Sequence, residues 1–207
     1  MQTESGYNPF DVQPVANTPE TPAAELRTID NQTIAEATKV IDRQLELNQK
    51  PEGRVIRINL VCPEAKLDDI VATICAELRI ESSPIIITIH GPEEQTTAVQ
   101  NIYTKADVIN ASPTNRHLIL VRGFENVASV GNTENRAVNW RLAHDFFQEL
   151  ADSNGFRQYV ASLDENKQVF IVLTLTYDQS PQETEAKSET YRSFGISHFA
   201  DHKITFL

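Results

Sequence analysis

Four apolar runs mark the larger, later part of the chain: Val55–Cys62, Ile85–Ile89, His117–Val121 and Val169–Thr176. Each is dense in Ile, Val and Leu at successive rather than alternate positions, the pattern of strands buried on both faces of a parallel sheet. Between the first two, Leu67, Ile70, Val71, Ile74 and Leu78 fall on one helical stripe and predict an amphipathic helix that covers the sheet. Ala98, Val99, Ile102, Tyr103 and Ala106 predict a second helix, and Val138, Leu142, Phe146 and Leu150 a third. Strands alternating with helices imply right-handed crossovers, hence an α/β domain with a mainly parallel, doubly wound sheet flanked by helices. The polar stretch Asp178–Glu189 reads as a loop entering a short helix, and Lys203–Leu207 as a last short strand. No internal repeat is visible.

The beginning of the chain is different. Residues 1–30 carry Pro9, Pro14, Pro19 and Pro22 among Asn, Thr, Glu and Gln, with too few large apolar groups to offset the entropy of ordering them, and predict a disordered tail. Asn8-Pro9-Phe10 within it is similar to short peptides bound by eukaryotic trafficking modules, but a three-residue match recurs by chance and the tail reading stands. Ile34, Ala37, Ile41 and Leu45 then fall at helical spacing behind Asp30 or Asn31 as N-cap, and Gln49-Lys50-Pro51-Glu52-Gly53 supplies a stop and linker. This gives three parts: a tail, 1–30; an amphipathic helix and linker, 31–53, packed on the main domain or docked on a partner; and the α/β domain, 54–207.

At 207 residues the chain holds one ordinary core plus an appendage, since about 150 residues suffice for a single core. A formal charge of −11 and a pI near 4.9 set the protein against nucleic acid phosphates and anionic membranes and favour a basic or neutral partner surface. Cys62 ends a predicted strand and Cys75 sits in a predicted helix, a placement that suits two buried thiols better than a disulfide or metal site. The opening Met-Gln-Thr-Glu-Ser-Gly has no basic segment followed by an apolar block, and no run reaches the roughly 20 apolar residues of a membrane span. These features together predict a soluble protein of a reducing, cytoplasmic compartment.

The segment His117-Leu118-Ile119-Leu120-Val121-Arg122-Gly123-Phe124-Glu125 is an apolar strand ending in polar residues, and Val169–Thr176 another that carries Thr174 and Thr176 at its end. With the order of elements from Val55 to Leu207, this resembles the core of the AAA-type P-loop ATPases. In that family a phosphate loop follows the first strand, an acidic pair ends a later one and a polar sensor lies on the next. The resemblance puts Arg122 where a magnesium-binding Asp is expected, makes Glu125 a displaced carboxylate and sets Thr174 at about the place of the sensor. It also implies ATP with magnesium as cofactor, if the phosphate loop is intact.

That loop needs glycines that let backbone N–H groups wrap the triphosphate, a Lys for the outer phosphates and a hydroxyl for the metal. After the first strand comes Cys62-Pro63-Glu64-Ala65-Lys66-Leu67-Asp68, without glycine and with carboxylates that repel phosphate. After the second, His90-Gly91-Pro92-Glu93-Glu94-Gln95-Thr96-Thr97 offers Gly91, Thr96 and Thr97 but lacks the Lys and the second glycine, and puts Glu93 and Glu94 where the triphosphate would lie. If the family is right, nucleotide binds poorly or not at all.

Other constellations are incomplete. His198 and His202 stand four apart without the Glu of a metalloprotease helix or a nearby Cys, and a surface turn before the last strand explains them better than a metal site. His144-Asp145 near Ser153 are adjacent helical positions that point apart, and no Gly-x-Ser-x-Gly elbow is present. Asp107, Asp145 and Asp152 form no carboxylate pair; Trp140, Phe146 and Phe147 lack the interleaved cations of a base-stacking surface.

Three readings follow. The first is a non-catalytic adaptor or regulatory protein on a degenerate ATPase-like domain, with Arg122, Asn126, Asn132, Asn135 and Arg136 as its partner-binding surface at the carboxyl ends of the strands. Its partner is a protein, either a competent ATPase whose phosphate Arg122 reaches or a second copy of the chain. The second is a nucleotide hydrolase or transferase with Gly91, Thr96, Thr97 and Thr174 around ATP and magnesium and Glu125 as base. The third is a mobile-element or viral accessory scaffold with no nucleotide chemistry.

Overall fold

The structure, a computed structural model, describes residues 31–47, 51–124, 145–151, 153–177 and 201–205. The readings made for the tail, for Glu125, Asn126, Asn132, Asn135 and Arg136, for Val138, Trp140, Leu142 and His144, and for 178–200 lie outside the described residues.

Among the described residues five strands form one sheet: β1 (Val55–Pro63), β2 (Ile85–Thr88), β3 (Arg116–Arg122), β4 (Gln168–Tyr177) and β5 (His202–Thr205). Their order is β2-β3-β4-β1-β5, and every neighbouring pair is parallel. Helices α1 (Asn31–Leu47) and α2 (Leu67–Glu77) lie on one face. Helices α3 (Gln95–Tyr103), α4 (Ala106–Ala111), α5 (residues 145–151) and α6 (Asn154–Ser162) lie on the other. The continuous apolar runs serve this arrangement, because alternate residues of one strand feed two cores. Ile56, Ile58, Leu60 and Cys62 of β1 join Leu118, Leu120, Phe170 and Val172 beneath α1 and α2. Val55 and Val61 join Ile119, Val121, Ile171 and Leu173 beneath α3 to α6.

From β1 the chain crosses one face to the far edge at β2, then returns through β3 to β4 over the other face. Crossovers of one hand require this change of face when the direction reverses. The reversal falls at the carboxyl ends of β1, β4 and β3, where sheets of this kind form the crevice that binds ligands.

Local signals explain several boundaries. Ser153 caps α6, its Oγ accepting from Phe156 N–H at 2.9 Å. At the other end Arg54 donates to the carbonyls of Val160, Leu163 and Asp164, joining the helix end to the turn that follows it. Helix α2 ends in a Schellman turn: Arg79 N–H donates to Ala76 O at 3.2 Å and Ile80 N–H to Cys75 O at 2.8 Å. Arg79 itself takes the left-handed conformation, φ 54°.

Some expectations need correction. The second helix is two, because at Thr104–Lys105 the bonding tightens, Lys105 N–H reaching Ile102 O, before α4 restarts. The pattern of Phe156, Tyr159 and Val160 makes a separate helix, α6, that the reading of one long third helix missed. Of the two places expected for the N-terminal helix, packing on the main domain is the one seen: Ile34 and Ile41 are fully buried against the sheet, and Asp42 pairs with Arg116 at 2.9 Å. The last strand begins at His202, and its entry is fixed by Asp201, whose carboxylate accepts from Arg57 N, Nε and Nη2 at 2.8 to 3.0 Å while Asp201 N–H donates to Arg57 O.

Candidate functional site

The crevice is bounded by the loop after β1, the turn after β2 and the end of β3. Only a three-residue turn, Glu64–Lys66, separates β1 from α2, which then opens on Leu67-Asp68-Asp69. A phosphate loop spans about eight residues from its first glycine to its hydroxyl, so the backbone that would wrap phosphate is missing in length as well as in composition. The positive end of the α2 dipole faces this rim, and Asp68 and Asp69 in its first turn supply the negative charge that end attracts.

The turn after β2 is likewise closed by its own acids. His90 N–H donates to Glu94 Oε2 at 2.9 Å, and Glu94 N–H returns to Gly91 O at 3.1 Å. A Cβ on Gly91 would meet only the flexible carboxylate of Glu93, so the glycine marks a close side-chain approach and not a strained phosphate-binding bend. Thr96 and Thr97 are exposed on the first turn of α3, beyond this closed turn.

Arg122 ends β3 half-buried, with its carbonyl taken by Ile89 N–H at 2.9 Å. Its guanidinium lies 3.6 Å from the Asp68 carboxylate, which is 85% exposed. The contact is loose and wet, a pairing of small energy that a partner's charge can displace. It joins the end of β3 to the start of α2. Gly123, at φ 80°, then turns the chain so that Phe124 is buried, 5.2 and 5.0 Å from the rings of Phe146 and Phe147. That plug fixes where the chain leaves β3.

Thr174 does not face the crevice with a free hydroxyl. It is fully buried, and its Oγ1 donates to Val121 O at 3.0 Å, tying β4 to β3. Of the residues proposed from sequence, Arg122 is thus at the rim, Gly91, Thr96 and Thr97 are on the neighbouring turn and helix, and Thr174 is inside the sheet. Asp68, which pairs with Arg122, was noted only as a repulsive carboxylate; a charge in the first turn of a predicted helix beside a strand-end Arg was the available signal.

His202 lies in strand β5 rather than in a turn or a helix, its Nε2 buried and without a hydrogen-bond partner among the described residues, so helical four-residue spacing does not apply to it. Among the described residues no group of three His, Cys, Asp or Glu side chains could hold a metal ion, and no helix is long and apolar enough to cross a membrane. Cys62 is buried and Cys75 half-buried, and neither forms a disulfide among the described residues; burial raises the Cys75 pKa.

Compared with models of known protein families and with the sequences of curated proteins, the chain matches none.

Proposed function

We propose that this protein is a non-catalytic adaptor or regulatory protein, built on a degenerate ATPase-like α/β domain and acting through protein contacts at the carboxyl end of its sheet. One observation carries the reading: the three-residue connection from β1 into α2, with the chain's own carboxylates at the helix start where a nucleotide phosphate would sit. The strand order lends it support, since β4, equated with the sensor strand, lies between β1 and β3 and so between the would-be phosphate loop and acidic pair. A partner with a basic or neutral surface suits the acidic rim of Glu64, Asp68, Asp69 and Glu93. A competent ATPase and a second copy of this chain are the two partner classes, with Arg122 as the shared contact.

Thermal unfolding with and without millimolar ATP, ADP and magnesium tests the reading, because a ligand bound to the native state alone raises the midpoint. The expected result is no shift. A magnesium-dependent rise that disappears in Thr97→Ala or Glu125→Gln would overturn it in favour of a nucleotide enzyme.

A further inference from the structure

A second polar cluster lies at the opposite, amino end of the sheet and has no part in the crevice. His117, at the start of β3, is 3% exposed. Its Nε2 meets Thr114 O at 2.9 Å and its Nδ1 meets Ser82 Oγ at 3.2 Å. Lys167, on the turn before β4, is also 3% exposed, and its Nζ donates to the same Thr114 O at 2.9 Å and to Ser112 O at 2.6 Å. Three turns converge here: the one before β2, the one between α4 and β3, and the one before β4.

We propose that His117 and Lys167 form a proton-sensitive latch that holds the start of the edge strand β2 at neutral pH and releases it on acidification. In the neutral ring Nε2–H donates to Thr114 O and Nδ1 accepts the Ser82 hydroxyl. Ser82 precedes β2 by three residues, and β2 is an edge strand that few bonds hold. It is four residues long, is bonded to β3 alone, and leaves Ile86 56% exposed.

A proton on Nδ1 reverses the bond to Ser82, whose hydroxyl must then turn to Arg116 O, 3.3 Å away. It also sets a second cation beside Lys167 around one shared carbonyl. Among the described residues no carboxylate pairs with either: Glu81, Asp107, Asp164 and Glu165, on the adjoining turns and on α4, are exposed, while Arg116 points to the other face and is held by Asp42 and Leu78 O. Burial, with Lys167 adding to it, holds the His117 pKa below 6.5 against the opposing bond to Thr114. The unfolded or opened state therefore takes up the proton first, and the latch weakens as pH falls below the free value of 6.5.

Any effect on the turn after β2 rests on the adaptor reading above; the latch does not, and it is measured on the protein alone. Hydrogen exchange of Ile85–Ile89, corrected for the intrinsic rate, is followed from about pH 7.5 to about pH 5, together with the NMR titration of the His117 ring. Protection of this segment falls with acid in the wild type and stays flat in His117→Gln, and Lys167→Met moves the ring pKa upward. A ring that titrates at or above 6.5, protection unchanged by acid, or an equal acid loss in His117→Gln overturns the proposal. The wild-type titration decides the matter even if a variant fails to fold.

Discussion

Replacing Arg79 by Gly should stabilise the protein, although Arg79 is exposed and the change removes a side chain. The Schellman turn that ends α2 needs a left-handed residue between its two closing bonds, and Arg79 supplies it at φ 54°. For an L-residue that conformation costs about 1–2 kcal/mol. Glycine removes the cost but returns about 0.5–1 kcal/mol through the greater freedom of its unfolded chain. The net gain is about 0.5–1 kcal/mol, which for a protein of this size raises Tm by about 1–4 °C. Arg79→Ala is the control, because alanine keeps the backbone penalty and loses only the side chain; its stability should match wild type. Urea unfolding of the three proteins at one pH decides the matter through the midpoint, with the slope unchanged. If alanine stabilises as much as glycine, the side chain and not the backbone carries the effect. If glycine destabilises, the reasoning about this turn is wrong.

Ile41→Ala empties a fully buried position under α1 and should cost about 2–5 kcal/mol in chemical unfolding, whereas a helix standing off the sheet would lose almost nothing. Asp201→Ala removes three charge-assisted bonds to Arg57, each partner being 20% exposed, and should cost about 1.5–3 kcal/mol with faster hydrogen exchange in β5 ahead of the other strands. His202 adds to the acid sensitivity of His117: burial lowers its pKa, with Asp201 opposing, so its contribution is present above the free value of 6.5 and is lost as pH falls through that value toward the folded one. Unfolding free energy followed from pH 7.5 to pH 5 should therefore decline, and by less in His202→Gln.

Much of this fold was readable because a strand buried on both faces cannot disguise itself. The runs from Val55, Ile85, His117 and Val169 all became strands within one residue of their expected ends, and the stripe from Leu67 to Leu78 covers the sheet as its period required. What the pattern could not give was the breaks in helix. Ala98 to Ile109 keeps one apolar stripe across the Thr104–Lys105 turn, so periodicity alone cannot see that the helix breaks there. Helix α6 was hidden because Asn154-Gly155 reads as a turn, and its stability comes from distant groups: the Ser153 cap, Arg54 at its far end, and Tyr159 packed 5.5 Å from Tyr103. The same limit applied to the site. Arg122 at a strand end was visible in sequence, but its pairing with Asp68 depends on β4 and β1 lying side by side, which no local pattern encodes.

The two turns at the carboxyl end carry negative charge of their own beside a helix start. A helix start that points into a crevice presents unpaired N–H groups and a positive dipole, and something negative must answer them. In a phosphate loop the ligand does so. Here Asp68 and Asp69 lie in the first turn of α2, and Glu94 takes the His90 N–H before α3 begins. These side chains place negative charge at the helix start in the free protein, although none of them bonds to an N–H of the first turn of α2 or α3. Restoring a lysine and a glycine would not undo this, since the three residues between β1 and α2 leave no backbone to wrap a phosphate. What remains available for recognition is the outward side of the same charges, with Arg122 held by Asp68 across a loose 3.6 Å contact that an approaching surface can exchange. The rim thus keeps charges of both signs in water, Arg122 beside Asp68 at the end of β3 and Asp69 on the same first turn of α2.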